Sequence, residues 1–196
     1  MPPLFSFGRI AGLALTLLTA SATPALAQTT TLFNFNVAGI FSNDGFGSPI
    51  NERRSINVGQ NALITGIGFN VTLFADSPSW LSEMVVAFID DDDVDQVLLR
   101  PGVGINAAGT QAFSSNGIVD LVGLGLSFNV GASGVLTLEF FEGFDDFPND
   151  WDGIWQSGLL TIQATTPGTV VPEPATVGLL AFGLIAIGVV RRRQKA

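Results

Sequence analysis

The sequence predicts an all-β fold, an antiparallel β-sandwich, for residues 28–170. Short segments that alternate apolar and polar residues carry this prediction, together with the Gly-, Asn- and Asp-rich turns between them. The abundance of Phe and Val, which favour strands, is a third observation. About 140 residues is a usual size for one domain around one core. A β-barrel is the alternative that the patterns leave open.

Three segments are the clearest strands. Residues 32–37 alternate Phe or Val with Asn, and residues 67–74 alternate in a similar way. Residues 84–89 (MVVAFI) are apolar on both faces, which predicts a strand in mid-sheet or between sheets. No helix is predicted in this body. Further strands are predicted at 55–58, 118–122, 126–130, 135–141 and 159–164, with 102–117 as a Gly- and Asn-rich connection.

The first 27 residues have the form of a cleaved secretory signal peptide. One early cation, Arg9, precedes an apolar core at 10–20, and Ala25 and Ala27 supply an A-x-A cleavage site. We expect cleavage before Gln28. The predicted organisation is a signal peptide at 1–27, a sandwich body at 28–170 and a C-terminal signal at 171–196.

Residues 171–196 have three parts: a Pro-Glu-Pro motif, an apolar run at 175–190 and a basic end. The prolines prevent a helix from running back into the body. Sixteen helical residues measure about 24 Å, which predicts a short transmembrane helix. The cations after it orient the tail toward the cytoplasm and the body outside. The residues that form this signal are Val171, Pro172, Glu173, Pro174, Arg191, Arg192 and Arg193.

This tail closely resembles the PEP-CTERM sorting signal of bacterial surface proteins. The resemblance implies that the inner membrane holds the chain until an exosortase-type transpeptidase cuts near Pro-Glu-Pro, after which the body reaches the cell surface or medium. It also implies a cell that makes extracellular polysaccharide or biofilm. A structural or adhesive role is therefore expected, and a calcium-dependent carbohydrate-binding module is the alternative.

Composition excludes several classes of function. The body contains sixteen carboxylates and three cations, Arg53, Arg54 and Arg100, which gives it a net charge of about −13. Nucleic acid is therefore not an expected partner. The chain has no His, Cys or Tyr, and its one Lys is in the tail. Nucleophilic triads and Lys-based nucleophiles are thereby excluded.

Carboxylates remain as candidate catalytic groups. A glycosidase needs only two of them, and Glu83, Glu139 or Glu142 could serve. Glu139, however, lies in the alternating strand at 135–141, where we expect it to face solvent. No paired acids are recognisable, so we expect no enzymatic activity.

Two acidic segments are candidate calcium sites. One follows the strand at 84–89, and the other lies at 145–152 among aromatic residues. Calcium takes six to eight oxygen ligands, which carboxylate-rich loops supply without His or Cys. Solvated turns that keep edge strands apart are the other interpretation. The candidate metal ligands are Asp90, Asp92, Asp145 and Asp150.

The tryptophans are open to two interpretations, as a sugar-stacking platform or as caps on the core. Trp151 and Trp155 are the carbohydrate candidates, whereas Trp80 is expected in the core. Residues 134–163 loosely resemble the final hairpin of jelly-roll modules such as the P-domains of secreted proteases. That resemblance implies a jelly-roll-like sandwich.

Overall fold

The computed structural model describes residues 28–147 and 150–168, which form eleven strands and one four-residue helix. The predicted all-β class is confirmed. The predicted signal peptide and transmembrane helix lie outside the described residues. The elements are β1 (Thr29–Asn36), β2 (Ile40–Ser42), β3 (Glu52–Asn57), β4 (Leu63–Ala75), β5 (Met84–Ile89), β6 (Gln96–Leu99), β7 (Gly109–Ser114), β8 (Val119–Asp120), α1 (Leu121–Leu124), β9 (Phe128–Asn129), β10 (Val135–Glu142) and β11 (Gly153–Thr166).

The strands form two antiparallel sheets. The larger sheet has the order β1-β11-β4-β7, and the short strands extend its edges: β2 pairs with β11, while β8 and β9 pair with β4. The smaller sheet has the order β3-β10-β5-β6. The long strands β4 and β11 occupy the centre of the larger sheet and pair along twelve registered positions with two bulges. Residues far apart in sequence therefore meet along this central pair.

The core lies between the two sheets. Alternate residues of each strand point inward, for example Ile67 in β4 and Leu138 in β10, and both are buried. Trp155 of the larger sheet meets Phe140 of the smaller sheet edge-on, with ring centroids 5.2 Å apart. One hydrophobic cluster contains side chains from both sheets. The body is therefore a β-sandwich, as predicted.

The smaller sheet is also buried on its outer face, as the apolar β5 segment predicted. Val85, Ala87 and Ile89 of β5 form a second buried cluster with Phe141 of β10. The ring of Phe46, in the loop between β2 and β3, lies 5.2 Å from that of Phe141. The β2–β3 loop therefore covers this face.

The same loop buries a carboxylate, which corrects the expectation that Glu139 faces solvent. Glu139 has no exposed surface, and its Oε1 accepts hydrogen bonds from Gly47 N at 2.6 Å and Asn51 Nδ2 at 2.9 Å. Its Oε2 lies 3.1 Å from Arg53 Nε. The alternating pattern correctly placed Glu139 on the outer face, but it contained no sign that a loop covers that face.

Three strands and the short helix were not predicted. β7 lies within the predicted connection at 102–117, and β2 and β6 have only three and four residues. β7 lies at a sheet edge and exposes most of its residues, so its sequence lacks the buried alternation that marks a strand. In α1, Asp120 caps the start and Gly125, at φ 69°, caps the end.

Candidate functional site

The two predicted calcium loops lie at opposite ends of the smaller sheet. Asp90 and Asp92 follow β5, whereas Asp145 and Asp150 follow β10. These strands are antiparallel, with the first residue of β5 opposite the last residue of β10. The structure therefore does not bring the four carboxylates into one site.

The carboxylates after β5 are engaged in closing their own loop. Asp90 is buried, and it accepts hydrogen bonds from the backbone N–H groups of Val94 at 2.9 Å and Asp95 at 3.1 Å. Asp91 accepts one from Ser133 N at 2.9 Å. The pKa of Asp92 is raised by a hydrogen bond with Asp90 and then by the charge of Asp90. These contacts give Asp90 and Asp91 a structural role in the loop.

The two candidates after β10 are in different environments. Asp150 is exposed, and its Oδ1 accepts a hydrogen bond from the next backbone N–H, that of Trp151, at 2.8 Å. Asp145 has one buried oxygen, Oδ1, without a hydrogen-bond partner among the described residues. Burial and then the charge of Asp44 raise the pKa of Asp145. Of the two, only Asp145 has a buried oxygen that lacks a partner among the described residues.

The most deeply buried carboxylates of this region, Glu142 and Asp152, were not among the predicted metal ligands, and their exposed fractions are 1% and 0%. Burial raises the pKa of Glu142 to about 9, and the nearby charges of Asp152 and Glu83 add to the effect. The pKa of Asp152 is also raised, because burial has the largest effect. Hydrogen bonds from the backbone N–H groups of Asp146 and Phe147 act in the opposite direction. We call Glu142, Asp152, Asp145 and Asp44 the acidic end of the sandwich.

Backbone hydrogen bonds bring four chain segments together at the acidic end. Asp152 N donates to Ser42 O at 3.0 Å, and Glu142 N donates to Asp44 O at 3.1 Å. The β10–β11 loop is bound to the start of β5 by Gly143 N, which donates to Glu83 O at 2.7 Å. The carboxylates are therefore held near one another by the sheet framework.

A signal for Glu142 was present in the sequence. Glu142 shares the inward face of β10 with Leu136, Leu138 and Phe140, all of which are buried. Extending the predicted strand 135–141 by one residue would have placed a carboxylate at the end of the core. No sequence pattern indicated that Asp152 is buried, because it lies in the β10–β11 loop, which folds back to the edge of the core.

The acidic end lacks the preformed geometry of a metal centre. In residues 28–147 and 150–168, no group of three or more acidic side chains surrounds a common point as metal ligands would. The calcium prediction therefore stays a prediction. The region offers carboxylate, hydroxyl and backbone carbonyl oxygens, which are the ligands that calcium takes.

The three tryptophans occupy different environments. Trp155 has no exposed surface and donates through Nε1 to Ser42 Oγ at 3.2 Å, so the prediction that it stacks on sugar is wrong. Trp80, expected in the core, is 42% exposed. Trp151 is half-buried against Phe41 and Phe74, with ring centroids 5.7 and 6.3 Å away. Trp151 therefore keeps an exposed part that is available for a ligand.

The four main strands of the larger sheet contain no charged residue. No Asp, Glu, Lys or Arg occurs in β1, β4, β7 or β11, although the body has a large negative charge. Thr161 donates to Asn34 across the outer face of this sheet at 2.9 Å, and Gln163 Nε2 donates to Thr65 at 3.1 Å. We call the outward side chains of these four strands the neutral face.

A surface pocket of about 290 Å³ lies on the neutral face. Asn70, Ser114 and Thr161 supply polar groups to its lining, while Leu159 and Ile118 supply apolar ones. Gly68 leaves room for Ile118, because a Cβ added there would lie 3.0 Å from the Ile118 side chain. The pocket is therefore uncharged and mixed in polarity.

Comparison with protein-family models identifies the C-terminal segment. Residues 170–194 match the PEP-CTERM protein-sorting motif. The chain carries an exosortase sorting signal. A PEP-CTERM motif marks a protein that is exported, anchored in the membrane through its C-terminal tail before exosortase processing, and then delivered to the cell surface. The matched segment includes the Pro-Glu-Pro motif and the three arginines recognised in the sequence.

Over most of its length, the chain is similar to solved virus structures at low sequence identity. It is similar to the VP2 subviral particle of infectious bursal disease virus, with 12% identity, a TM-score of 0.36, and 83% of this chain and 42% of the viral chain covered. For the nora virus structure the identity is 10%, the TM-score 0.27 and the coverages 80% and 66%. The chain thus spans less than half of the VP2 chain. No curated protein matches it.

The described part of the chain contains no helix that is long and apolar enough to cross a membrane. The predicted span at 175–190 and the predicted signal-peptide cleavage at Ala25 and Ala27 lie outside the described residues.

Proposed function

We propose that this exported protein serves a structural or adhesive role at the cell surface, in an extracellular polysaccharide or biofilm matrix, without enzymatic activity. The PEP-CTERM motif at residues 170–194 is the observation that carries the proposal, because it targets the chain to an exosortase and the cell surface. A sandwich with most of its carboxylates outside the larger sheet is consistent with a soluble display domain.

The test is to follow the protein in its own host. The chain and a variant that ends at residue 170 would be expressed in cells that make the matrix, and the washed matrix and medium would be assayed separately. The full chain should be retained in the matrix, whereas the truncated chain should appear in the medium. Equal retention of both chains would contradict a sorted matrix role.

We further propose, as the second candidate function, that the neutral face binds an uncharged polysaccharide. The absence of charged residues from four adjacent strands supports this, because hydroxyl and amide groups are suitable partners for sugar hydroxyls. The pocket lined by Asn70, Ser114 and Thr161 and the half-buried ring of Trp151 offer hydrogen bonds and a stacking surface.

Affinity electrophoresis in gels that contain a neutral glucan tests this second function. The protein should be retarded by the neutral polymer and not by an anionic one, since the body has a large negative charge. A Thr161→Val, Asn70→Ala variant should lose the retardation, and Trp151→Ala should weaken it. Trp80→Ala is the matched control, because Trp80 is also exposed but lies outside the neutral face. Unchanged mobility of the parent in every gel would rule out this function.

A further inference from the structure

We propose that the acidic end binds a divalent cation, calcium by its ligand chemistry, through Glu142 and Asp152 with Asp145 and the hydroxyl of Ser79. This site does not depend on the surface role proposed above. Of the earlier calcium candidates it retains only Asp145, and it adds Glu142 and Asp152, which were not among those candidates.

Unpartnered buried oxygens are concentrated at this end. Five buried side-chain oxygens of the described residues lack a hydrogen-bond partner, and four of them belong to Glu142, Ser79 and Asp145. The fifth is Oε2 of Glu139, which has Arg53 beside it. Buried polar atoms in native proteins nearly always have partners, so such a concentration requires an explanation.

Among these residues, Glu142 has the most buried oxygens without a partner in the described part of the chain. Only 1% of Glu142 is exposed, and neither of its carboxylate oxygens has a hydrogen-bond partner among residues 28–147 and 150–168. It points inward from the last position of β10, toward Asp152 and the hydroxyl of Ser42. Burial of an ionised carboxylate is costly unless a cation or hydrogen-bond donors compensate for the lost water.

The surroundings of Glu142 add further negative charge. Asp152 has no exposed surface, and each of its oxygens accepts one backbone hydrogen bond, which leaves a lone pair on each for another ligand. Ser79 Oγ is buried and lies close enough to Asp152 to interact with its carboxylate. Glu83 and Asp146 contribute more negative charge nearby.

In the described part of the chain, no cation forms an ion pair with these carboxylates. The ion pairs in this part all involve Arg53 or Arg54, which are on β3. The guanidinium of Arg100 lies near the backbone of Gly143, but it forms no ion pair with Glu142, Asp145 or Asp152. A bound divalent ion would supply both the missing charge and the missing partners.

The ligand atoms available at the acidic end favour calcium over other divalent ions. Carboxylates, a hydroxyl and backbone carbonyls are all oxygen ligands, which suits calcium, and the absence of His and Cys disfavours zinc and copper. Magnesium requires near-ideal octahedral geometry, whereas calcium tolerates irregular sites. Because no three carboxylates yet surround one point, the ion would draw Asp145 and Asp152, which lie in one loop, toward Glu142.

Calorimetry on the full chain in detergent tests the proposal, after dialysis against a chelator and with calcium chloride as titrant. The parent should bind one calcium ion, and its thermal midpoint should rise with added calcium. Glu142→Gln should weaken calcium binding at least tenfold while leaving a folded domain, because it is nearly isosteric and removes only a carboxylate ligand. Magnesium chloride should bind at least tenfold more weakly than calcium.

An Asp90→Asn, Asp92→Asn variant is the matched control at the opposite end of the smaller sheet. It should bind calcium as the parent does and show the same rise in thermal midpoint. Calcium binding that survives Glu142→Gln but is lost in the control would overturn the proposal in favour of the loop after β5. Absence of both heat and thermal shift in the parent would also overturn it.

Discussion

Arg53 Nε lies 3.1 Å from Oε2 of Glu139, a carboxylate with no exposed surface. Arg53 itself is about half exposed, with 49% of its side chain accessible. The pair joins β3 to β10, and the β2–β3 loop closes over the carboxylate through Gly47 and Asn51. The ion pair therefore helps to hold this loop on the outer face of the smaller sheet.

We predict that Arg53→Met destabilises the body by about 1–3 kcal/mol, because it removes the cation beside a buried carboxylate. Arg54→Met is the matched control, since Arg54 pairs with Glu52 at the surface, and its effect should stay within about 1 kcal/mol. Chemical denaturation of both variants measures the difference. Equal effects would show that Glu139 does not depend on Arg53.

Glu142 should make stability depend on pH when metal is absent. Its pKa is about 9 in the folded protein, against an ordinary value of 4.5. Between these values the unfolded chain loses the proton that the folded chain keeps, so stability should fall as pH rises from about 4.5 to about 9. The loss is at most about 6 kcal/mol, since a pKa unit corresponds to about 1.4 kcal/mol.

Urea unfolding in chelator at several pH values measures this dependence. The parent should lose stability steadily across the range, while Glu142→Gln should be flatter and more stable at the alkaline end. Parallel pH profiles for the two proteins would contradict the assignment of the effect to Glu142.

Gly158 should be difficult to replace. It lies in β11 at φ 117°, next to the register shift between Trp155 and Ser157, and an added Cβ would overlap the carbonyl oxygen of Asn70. Gly158→Ala should therefore cost more than the roughly 1–3 kcal/mol of backbone strain alone. Gly39→Ala is the control, because Gly39 also has a positive φ but has open space around it. Thermal unfolding should rank Gly158→Ala as the less stable, and the reverse order would refute the overlap.

The basic end of the PEP-CTERM tail should be required for processing. Replacing Arg191, Arg192 and Arg193 by Gln removes the cations that orient the tail, so the chain should remain uncut. Intact mass spectrometry of protein recovered from the host reads both ends of the chain. The parent should begin at Gln28 and end near Pro172 to Pro174. A variant with the same mass as the processed parent would show that the arginines are dispensable.

The sequence revealed the fold better than the site. Alternation in β1 and β4 and the apolar run of β5 correctly predicted which faces are buried, because side-chain period directly reports burial in strands. The acidic end was not predicted because Glu142, Asp152 and Ser79 lie in separate segments of the sequence. The pairing of β10 with β5 and the folding back of the β10–β11 loop bring them together. Trp155 was misjudged because it closely follows an acidic loop in the sequence, whereas its neighbours in space are Phe140 and Ser42.

The pairing of β11 has a mechanical consequence. This strand has β1 on one side and β4 on the other, and Thr166 at its end lies opposite Thr29 at the start of β1. A load applied beyond Thr166 and resisted by β1 and β4 at the far end of the sheet would pull β11 along its own axis. The hydrogen bonds to both neighbours run across that axis, so they would bear the force together in shear instead of opening one at a time. At roughly 3.3 Å per residue, the 14 residues of β11 span about 45 Å, and the load would be shared along that length.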